Sequence, residues 1–321
     1  MATLKDVAEL AGVSPITVSR VVNSPESVKE KTRLKVENAM NTLRYTPNLA
    51  AKNLATSRTG IIDVFVPENI DLSNPFVMHL IAGVSKVLSD NYCSFLILRN
   101  RKREHLCDGY IVTGLLKDEI NDFADYACER NRPVVLFGHT ELPHVDCIDV
   151  DNVAGARLAV ERLLRDGRQN IAMVNILEDK DYTVDRLAGY KQALDAAGLP
   201  FRDELLVYAP NSVDGGAKAV AELMEKGGFD GLFCATDTIA IGACAALKEL
   251  GLAIPQDISL VGFDGLGHNL LTEPHITTVQ QPVYEVGMML AKRLLSRLDG
   301  QSEKSTQLVL PKILPGRSTL L

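Results

Sequence analysis

From Ile61 to the C-terminus, short apolar runs alternate with amphipathic stretches of helical period. This alternation predicts parallel α/β architecture, because successive parallel strands are joined by crossovers that usually contain a helix. The predicted strands are IIDVFV, CSFLIL, GYIVTG, PVVLF, IAMVN, LLVYA, GLFCAT and ISLVGF. The predicted helices lie near residues 76–89, 118–129, 152–165, 183–197, 214–226, 237–250 and 283–298. Two groups of about four strands favour two doubly wound subdomains that face each other across a cleft.

One connection is too short for this pattern. Only ten residues, RNRKREHLCD, separate the strand that ends at Leu98 from the strand that begins at Gly109. A parallel crossover with its helix needs roughly ten to twelve residues at the least. Either this crossover is degenerate, or a segment is missing between about Asn100 and Arg101. Because HLCDGYIV still looks like the end of a helix followed by a strand, the sequence favours a missing segment.

The composition is that of an ordinary soluble globular protein. With 321 residues, 46% of them hydrophobic and 23% charged, the chain can bury two or three cores. It has no run of about 18 apolar residues, and MATLKDVAEL lacks the apolar core of a signal peptide, so we expect a cytoplasmic protein without membrane contact. No two cysteines have CxxC spacing, which favours small buried residues over disulfides or metal ligands. The cysteines are Cys93, Cys107, Cys128, Cys147, Cys234 and Cys244.

Charge is distributed unevenly along the chain. Residues 1–58 hold nine Lys or Arg and five Asp or Glu, a net charge of +4. Of the 34 basic and 41 acidic side chains in the whole chain, this leaves 25 and 36 for the remainder, a net charge of −11. A small basic module on an acidic body predicts that only the N-terminal region contacts a polyanion. On charge alone, an ordinary solvated surface remains an alternative.

The basic N-terminal region has the pattern of three helices. Thr3 and Asp6 have the spacing of a capping box, and Ser14 followed by Pro15 is a clear start for the second helix. The third helix covers about residues 30–43. Apolar positions recur at helical spacing in the second and third helices: Val18, Val21, Val22, Val36, Ala39, Met40 and Leu43. Two short helices joined by a tight glycine turn and backed by a third form a helix-turn-helix, whose second helix can enter the DNA major groove.

The stretch TLKDVAELAGVSPITVSRVVN resembles the DNA-binding head of the LacI family of bacterial transcription regulators. The resemblance continues through KTRLKVENAMNTLRYTPNLAAKNLATSRTG and, more loosely, to the C-terminus. There are two departures from the family pattern. Lys29 stands where the family usually has a helix-capping Ser or Thr, and Pro15 and Ile16 stand where many members have polar residues that read bases.

The resemblance implies an α/β fold with a small all-α helix-turn-helix head and two doubly wound subdomains like those of periplasmic binding proteins. The implied divisions are 1–46 for the head, 47–58 for a hinge helix or linker, 59–149 with 282–309 for the N-terminal subdomain, and 150–281 with 310–321 for the C-terminal subdomain.

By the same resemblance, the exposed face of the second helix reads operator bases. Ile16 would contact a thymine methyl group, and Arg20 would form a bidentate contact to guanine, with a phosphate contact as its alternative. Hydroxyl groups near the helix start are expected to contact the DNA backbone. The expected DNA-contacting residues of the head are Thr3, Ser14, Pro15, Ile16, Thr17, Ser19, Arg20, Asn23 and Tyr45.

The segment after the head resembles the family's hinge helix, which orders on DNA and pairs with its dimer mate in the minor groove. Asn48 is a good N-cap, but a helix of about eight residues is only marginally stable alone. Leu54 matches the residue that wedges between base steps, and Lys52 is also expected to contact DNA. A plain interdomain linker is the alternative, although the leucines and alanines here do not favour it.

The resemblance also implies a small-molecule site between the subdomains, at the carboxyl ends of strands. Arg186 in DRLAGY would clamp the effector, and Asp237 in ATDTIAIGA and Asp264 in VGFDG would accept hydrogen bonds from its hydroxyl groups. Phe76 in NPFVMH would stack on a sugar or base ring. Arginines and aspartates at helix starts often only cap or pair, and Phe76 would fit a core equally well. Weaker assignments are His139, Thr236 and Val283.

These features predict a sequence-specific transcription regulator, a repressor, whose operator affinity depends on a small-molecule effector. In this family the effector is more often a sugar or sugar derivative than a purine. We expect a palindromic operator, a homodimer, and no cofactor or metal; without a heptad repeat after LPGRSTLL, a dimer is favoured over a tetramer.

Two other functions fit the same α/β body. A stand-alone sugar-binding protein would carry a signal sequence and no DNA-reading head. A sugar-modifying enzyme is not favoured, because GFDGLG lacks the GxGxxG spacing of a nucleotide-binding loop, and His139 and His144 lack a third metal ligand.

Overall fold

The structure is a computed structural model that describes residues 2–23, 27–45, 58–102, 105–178 and 180–320. The chain divides into two compact units, Met1–Gly60 and Ile61–Leu321. The first unit is helical and the second contains two mainly parallel sheets, which confirms the predicted fold class.

The N-terminal unit contains α1 (Leu4–Ala11), α2 (Pro15–Asn23) and α3 (Glu30–Leu43). The predicted capping box at the start of α1 is present: the Asp6 N–H donates to Thr3 Oγ1 at 3.3 Å, and the Thr3 N–H donates to Asp6 Oδ2 at 2.7 Å. The three helices share a small core of Val7, Ala8, Ala11, Val18, Val21, Val36 and Ala39. This core accounts for the apolar stripe of α2 and leaves its other faces outside.

In the second unit, lobe 1 is built on six parallel strands. These are β1 (Ile61–Phe65), β2 (Ser94–Leu98), β3 (Gly109–Thr113), β4 (Val134–Phe137), β5 (Val145–Val150) and β11 (Thr306–Val309). Their order in the sheet is β11-β5-β4-β3-β1-β2. The helices of lobe 1 are α4 (Pro75–Asp90), α5 (Lys117–Glu129) and α10 (Val283–Leu298). Helices α4 and α10 pack so closely that a Cβ atom on Gly83 would overlap the Tyr284 carbonyl oxygen.

Lobe 2 has a second six-stranded sheet. Its strands are β6 (Ile171–Ile176), β7 (Leu206–Ala209), β8 (Gly231–Cys234), β9 (Ser259–Asp264), β10 (Thr277–Gln280) and β12 (Lys312–Leu314). The order is β12-β10-β9-β8-β6-β7, with β12 antiparallel to β10. The helices are α6 (Asn152–Arg165), α7 (Asp181–Ala196), α8 (Val213–Glu225) and α9 (Asp237–Glu249). Helix α6 packs on α7 and α8 packs on α9, and β6 and β8 are buried along their whole length.

The chain passes between the lobes three times: between β5 and α6, between β10 and α10, and between β11 and β12. All eight predicted strands are present, but β5, β10, β11 and β12 are not among those predicted. Strand β5 (VDCIDV) has two acidic residues among its apolar ones, which hides it from a search for apolar runs. Its buried Asp146 is reached by Arg293 at 2.8 Å and Arg297 at 3.3 Å, both from α10.

The crossover between β2 and β3 has no helix in its described residues, 99–102 and 105–108, where the Lys102 N–H donates to Asn100 Oδ1 at 3.1 Å. The expectation of a missing segment between Asn100 and Arg101 stays a prediction. Strand β2 lies at the sheet edge, where Leu96 and Ile97 are exposed.

The cysteines follow their expected environment with one exception. Four are buried and Cys93 is half-buried, but Cys128 is exposed on α5. Across the part of the chain that the structure describes, no helix is both long and apolar enough to cross a membrane.

Candidate functional site

The exposed surface of α2 is the first candidate site. Pro15, Ile16 and Arg20 are exposed, with 66% of Ile16 accessible, whereas Val18 and Val21 are buried. A branched apolar residue and a guanidinium group therefore share an outer face of a short helix that is anchored from behind. Such a face can offer an apolar contact to a thymine methyl group and paired donors to guanine.

The hydroxyl groups near the start of α2 serve its helix cap. The Thr17 N–H donates to Ser14 Oγ at 3.2 Å, and the two hydroxyl oxygens lie 2.9 Å apart. Ser19 is half-buried, and Tyr45 packs against the head core. Ser14 therefore performs the capping role that the sequence predicts for it.

The remaining predicted DNA contacts lie at the edges of this unit. Thr3 caps α1 and is exposed, and Asn23 is the last residue of α2. Asn48, Lys52 and Leu54 lie outside the described residues, so the hinge stays a prediction. Lys29 precedes α3 without a side-chain capping hydrogen bond, as its departure from the family pattern implies.

The second candidate site is a cleft of about 320 Å³ between lobe 1 and lobe 2. This volume is within the usual range of small-molecule pockets. Lobe 1 lines it with Asn69, Ile70, Asp71, Asn74, Phe76, Thr113, Gly114, Leu115, Ile120, Leu136, Phe137, Gly138, His139 and Asp149. Lobe 2 lines it with Asn152, Ile176, Glu178, Lys180, Asp181, Tyr182, Arg186, Asn211, Thr236, Asp264 and Gln281. Five of the seven predicted effector residues are in these two sets.

Arg186 lies on α7 at the centre of the lobe 2 wall. It is 4% exposed, and its guanidinium carbon lies 3.7 Å from the centre of the Phe263 ring. Its Nε donates to Asn152 Oδ1 at 3.0 Å and its Nη1 donates to the Ala235 carbonyl at 2.6 Å. No described residue places an acceptor within hydrogen-bond distance of Nη2. Burial lowers the pKa of Arg186, and nearby Asp264 opposes this shift most strongly.

Asp264 ends β9 in a conformation that side chains rarely adopt, with φ 120°. Such backbone strain costs about 1–3 kcal/mol and persists only where neighbouring contacts impose it. Here Gln281 imposes it twice, since its N–H donates to the Asp264 carbonyl at 2.9 Å and its Nε2 donates to Oδ1 at 2.7 Å. Desolvation raises the pKa of Asp264, and the charge of Arg186 opposes that shift. The result is a fixed acceptor group beside a fixed donor.

Two residues at the lobe crossing belong to the cleft although the sequence does not single them out. Desolvation raises the pKa of Asp149, at the end of β5, to about 7. Asn152 is buried at the start of α6, where its Nδ2 donates to the Val150 carbonyl at 3.0 Å while its Oδ1 holds Arg186. The available signal is that Asp149 lies in the acidic strand VDCIDV and Asn152 just after it, but that strand is itself hard to recognise.

Asp237 and Val283 do not line the cleft. The Asp237 carboxylate is buried behind it and is already paired, since Oδ1 accepts from Thr278 Oγ1 at 2.6 Å and Oδ2 accepts from the Gly265 N–H at 2.9 Å. Desolvation, together with neighbouring Asp264, raises the pKa of Asp237. Val283 begins α10 and is buried in the apolar core of lobe 1.

The other three predicted residues reach the cleft in different ways. Phe76 is half-buried and its ring is 5.0 Å from the ring of Phe137. Thr236 caps α9 and its Oγ1 donates to Asn211 Oδ1 at 2.7 Å. His139 is exposed at the rim, with Nε2 at 2.9 Å from Glu141 Oε1. Thr236 and His139 therefore already have partners within the protein.

Two contacts bridge the lobes at the mouth of the cleft. Lys117 Nζ, on α5, lies 2.9 Å from Asp181 Oδ1 at the start of α7. Lys180 Nζ donates to the Gly114 carbonyl at 3.5 Å and lies 3.2 Å from Glu178 Oε2. Both bridges would be stretched or broken if the lobes separated.

Family models match both the N-terminal helical head and the α/β body of the chain. A family model described as bacterial regulatory proteins of the lacI family matches residues 3–48, and a periplasmic binding protein-like domain model matches residues 160–319. The uncharacterized HTH-type transcriptional regulator YvdE of Bacillus subtilis (strain 168) is 36% identical over the full length of both chains.

Solved structures agree with the fold. The complex of the transcriptional regulator CelR with cellobiose matches with a TM-score of 0.75 and 30% identity, over 99% of this chain and 100% of that one. The Lac repressor dimer bound to operator and the anti-inducer ONPF matches with a TM-score of 0.74 and 29% identity, over 100% of this chain and 99% of that one.

Proposed function

The chain belongs to the LacI family of bacterial regulatory proteins and is a DNA-binding transcription regulator, and we propose that it is a repressor controlled by a sugar. The observation that carries the sugar assignment is that Arg186 and Asp264 both line the cleft and interact electrostatically. A sugar hydroxyl can accept a hydrogen bond from one and donate to the other, which is the polar complementarity that a polyol requires.

At the DNA, we propose that α2 is the recognition helix of a homodimer on a palindromic operator. Ile16 contacts a thymine methyl group and Arg20 contacts a guanine, because both are exposed on the outer side of this helix. Contacts from the other predicted residues of the head, including Thr3, Ser19 and Tyr45, set its position on the DNA backbone. Asn48, Lys52 and Leu54 form the hinge contact in the minor groove.

In the cleft, we propose that Arg186 and Asp264 hold the sugar hydroxyls while Phe76 packs on the ring face. Asp237 takes an indirect part, since its contacts with Gly265 and Thr278 fix the end of β9. The relative CelR has a structure with cellobiose, and the Enterococcus faecium family member has one with ribose, so sugars of different size occupy proteins of this fold.

We propose that the sugar acts by favouring one arrangement of the lobes. A ligand that touches Arg186 in lobe 2 and Phe76 in lobe 1 binds best when the cleft is closed, and it can shift an equilibrium only through such a difference in affinity. Closure then changes how well the two heads of a dimer fit an operator. By thermodynamic linkage, operator binding changes sugar affinity by the same factor.

We further propose that the protein is not an enzyme and works in the cytoplasm, where operator DNA is found. The relatives that match it along nearly their whole length are transcription regulators. The alternative of a stand-alone sugar-binding protein does not account for the head that α1, α2 and α3 form.

The test is selection of binding sequences from random double-stranded DNA by the full chain. We expect a palindrome with two half-sites, and we expect Arg20→Ala to lose about 1–3 kcal/mol of affinity and its preference at one base pair in each half-site. Equal weakening on every sequence would make Arg20 a phosphate contact. Binding no stronger than to random DNA at moderate salt would contradict the proposed function.

A further inference from the structure

We infer that the cleft selects an uncharged sugar and excludes sugar phosphates and sugar acids. The inference rests on the proposed function, because it assumes that the effector occupies the space between lobe 1 and lobe 2. It concerns the charge of the ligand, which neither the fold nor the family decides.

Among the described residues that line the cleft, carboxylates outnumber permanent cations. The carboxylates are Asp71, Asp149, Glu178, Asp181 and Asp264, and the permanent cations are Lys180 and Arg186. Since desolvation raises the pKa of Asp149 to about 7, this group is only partly ionised near neutral pH. With Asp149 counted as neutral and Lys117, the partner of Asp181 at the mouth of the cleft, counted as a cation, the carboxylates still exceed the cations by four to three. An anionic ligand therefore enters against a negative potential.

Lys180 offsets an anion only in part. Its side chain is 11% exposed, and its Nζ lies 3.2 Å from Glu178 Oε2 and 3.5 Å from the Gly114 carbonyl oxygen. A phosphate or carboxylate that approaches this ammonium group also meets the negative charge of Glu178, which repels it.

Arg186 offers one side of its guanidinium group to a ligand, and its surroundings set the kind of ligand. Nε and Nη1 are bonded to Asn152 and to the Ala235 carbonyl, whereas Nη2 has no acceptor among the described residues. The charges of Asp264 and Asp149 oppose the lowering of the Arg186 pKa by burial, so both act on this group electrostatically. A hydroxyl group can accept from Nη2 and donate to Asp264. An anionic oxygen can only accept, and it would be repelled by Asp264.

The experiment compares matched sets of ligands on the full chain by thermal shift and titration calorimetry at low salt. The sets are glucose with glucose 6-phosphate and glucuronate, galactose with galactose 6-phosphate and galacturonate, and ribose with ribose 5-phosphate, with cellobiose as an uncharged disaccharide. We expect the uncharged member of the responding set to bind at least about 100-fold more tightly than its anionic partners.

The variant Glu178→Gln tests the mechanism, because it releases Lys180 while keeping the size of the side chain. We expect the ratio of anionic to uncharged affinity to rise at least about tenfold. The matched control is Glu222→Gln, which removes a similar glutamate–lysine pair of 2.6 Å between α8 and Lys226, outside the cleft lining. The control should keep the wild-type ratio.

The possible outcomes separate this inference from the proposed function. An anionic sugar that binds more tightly than its uncharged partner would overturn the inference and leave a sugar effector in place. Equal ratios in Glu178→Gln and Glu222→Gln would also overturn it, because Lys180 would then not be masked. If only cellobiose binds, the matched set is replaced by cellobiose and cellobionate, and their affinities are compared in wild type and Glu178→Gln. If no sugar binds, charged or uncharged, both the proposed sugar effector and this inference fail.

Discussion

Lobe 1 and lobe 2 have sheets of the same size but bring different chemistry to the cleft between them. Of the aliphatic and phenylalanine side chains among the described lining residues, lobe 1 supplies Ile70, Phe76, Leu115, Ile120, Leu136 and Phe137, and lobe 2 supplies Ile176. Lobe 2 supplies both permanent cations, Lys180 and Arg186, together with Asp264. Lobe 1 thus supplies nearly all of the apolar lining, and lobe 2 supplies the permanent cations and the oriented Asp264. The difference indicates that lobe 2 recognises the ligand and lobe 1 covers it.

Arg186→Ala should have the largest effect, because it removes the central donor of lobe 2 and leaves Asn152 Oδ1 and the Ala235 carbonyl unpaired. We expect sugar affinity to fall by about 3 kcal/mol, with a loss of unfolding free energy of about 2 kcal/mol. Titration calorimetry and thermal unfolding measure the two losses. Arg157→Ala is the control, since Arg157 pairs with Glu161 at 3.4 Å on the exposed side of α6. Full sugar affinity in Arg186→Ala would remove lobe 2 as the recognition surface.

Phe76→Ala tests the wall of lobe 1. Removing a half-buried ring that packs against Phe137 should weaken sugar binding by about 1–2 kcal/mol through lost apolar contact. Because lobe 2 sets polar recognition, the preference for uncharged over anionic sugars should not change. Phe76→Leu, which keeps most of the apolar volume, should recover part of the affinity. A changed charge preference in Phe76→Ala would show that the two lobes do not divide these roles.

The sequence predicts the fold well because the signals for it are local. Strands β6, β8 and β9 are buried apolar runs, and the caps at Thr3 and Ser14 act on residues three positions away. Strand β5 escapes prediction because its buried Asp146 is paired with arginines about 150 residues away on α10. Local patterns do not contain that information.

The cleft is predicted less completely, because its lining depends on which residues the two lobes bring together. The family resemblance identifies Arg186, Asp264 and Phe76, which lie at the cleft. Asp237 begins a helix, where a ligand-binding carboxylate could also stand, but Thr278 and Gly265 occupy its oxygens from a neighbouring strand and loop. Asn152 is not predicted as a site residue, because its contact with Arg186 joins residues 34 positions apart and leaves no local pattern.

Asp149 is a desolvated carboxylate in the lobe 1 wall, and it makes stability depend on pH. Its pKa rises from 3.8 to about 7 on folding, so the folded state holds a proton that the unfolded state releases between these values. Stability should therefore fall as the pH rises from about 4 to about 7 and then level off. Asp149→Asn should remove this slope and be more stable than wild type at pH 8, because the neutral amide avoids the desolvation of a charged carboxylate. Parallel pH profiles of unfolding free energy for the two proteins would refute this assignment.

Lys117→Ala should have the smallest effect. The Lys117–Asp181 pair joins the lobes, but 56% of the lysine side chain is exposed, and exposed ion pairs contribute about 0–1 kcal/mol. We expect sugar affinity to fall less than about fivefold, with the difference vanishing at high salt. Lys218→Ala, which breaks an exposed 2.7 Å pair with Asp214 within α8, is the control. A large loss that persists at high salt would mean that lobe 1 contributes polar recognition after all.

The most direct test is titration of operator DNA by wild type and Arg186→Ala, each with and without the responding sugar. In wild type, saturating sugar should change operator affinity by about tenfold or more, and operator should change sugar affinity by the same factor. Arg186→Ala should bind operator like wild type in the absence of sugar and should need about 100-fold more sugar to respond. A wild-type operator affinity that saturating sugar leaves unchanged, or an Arg186→Ala response at wild-type sugar concentrations, would contradict control of the operator through lobe 2.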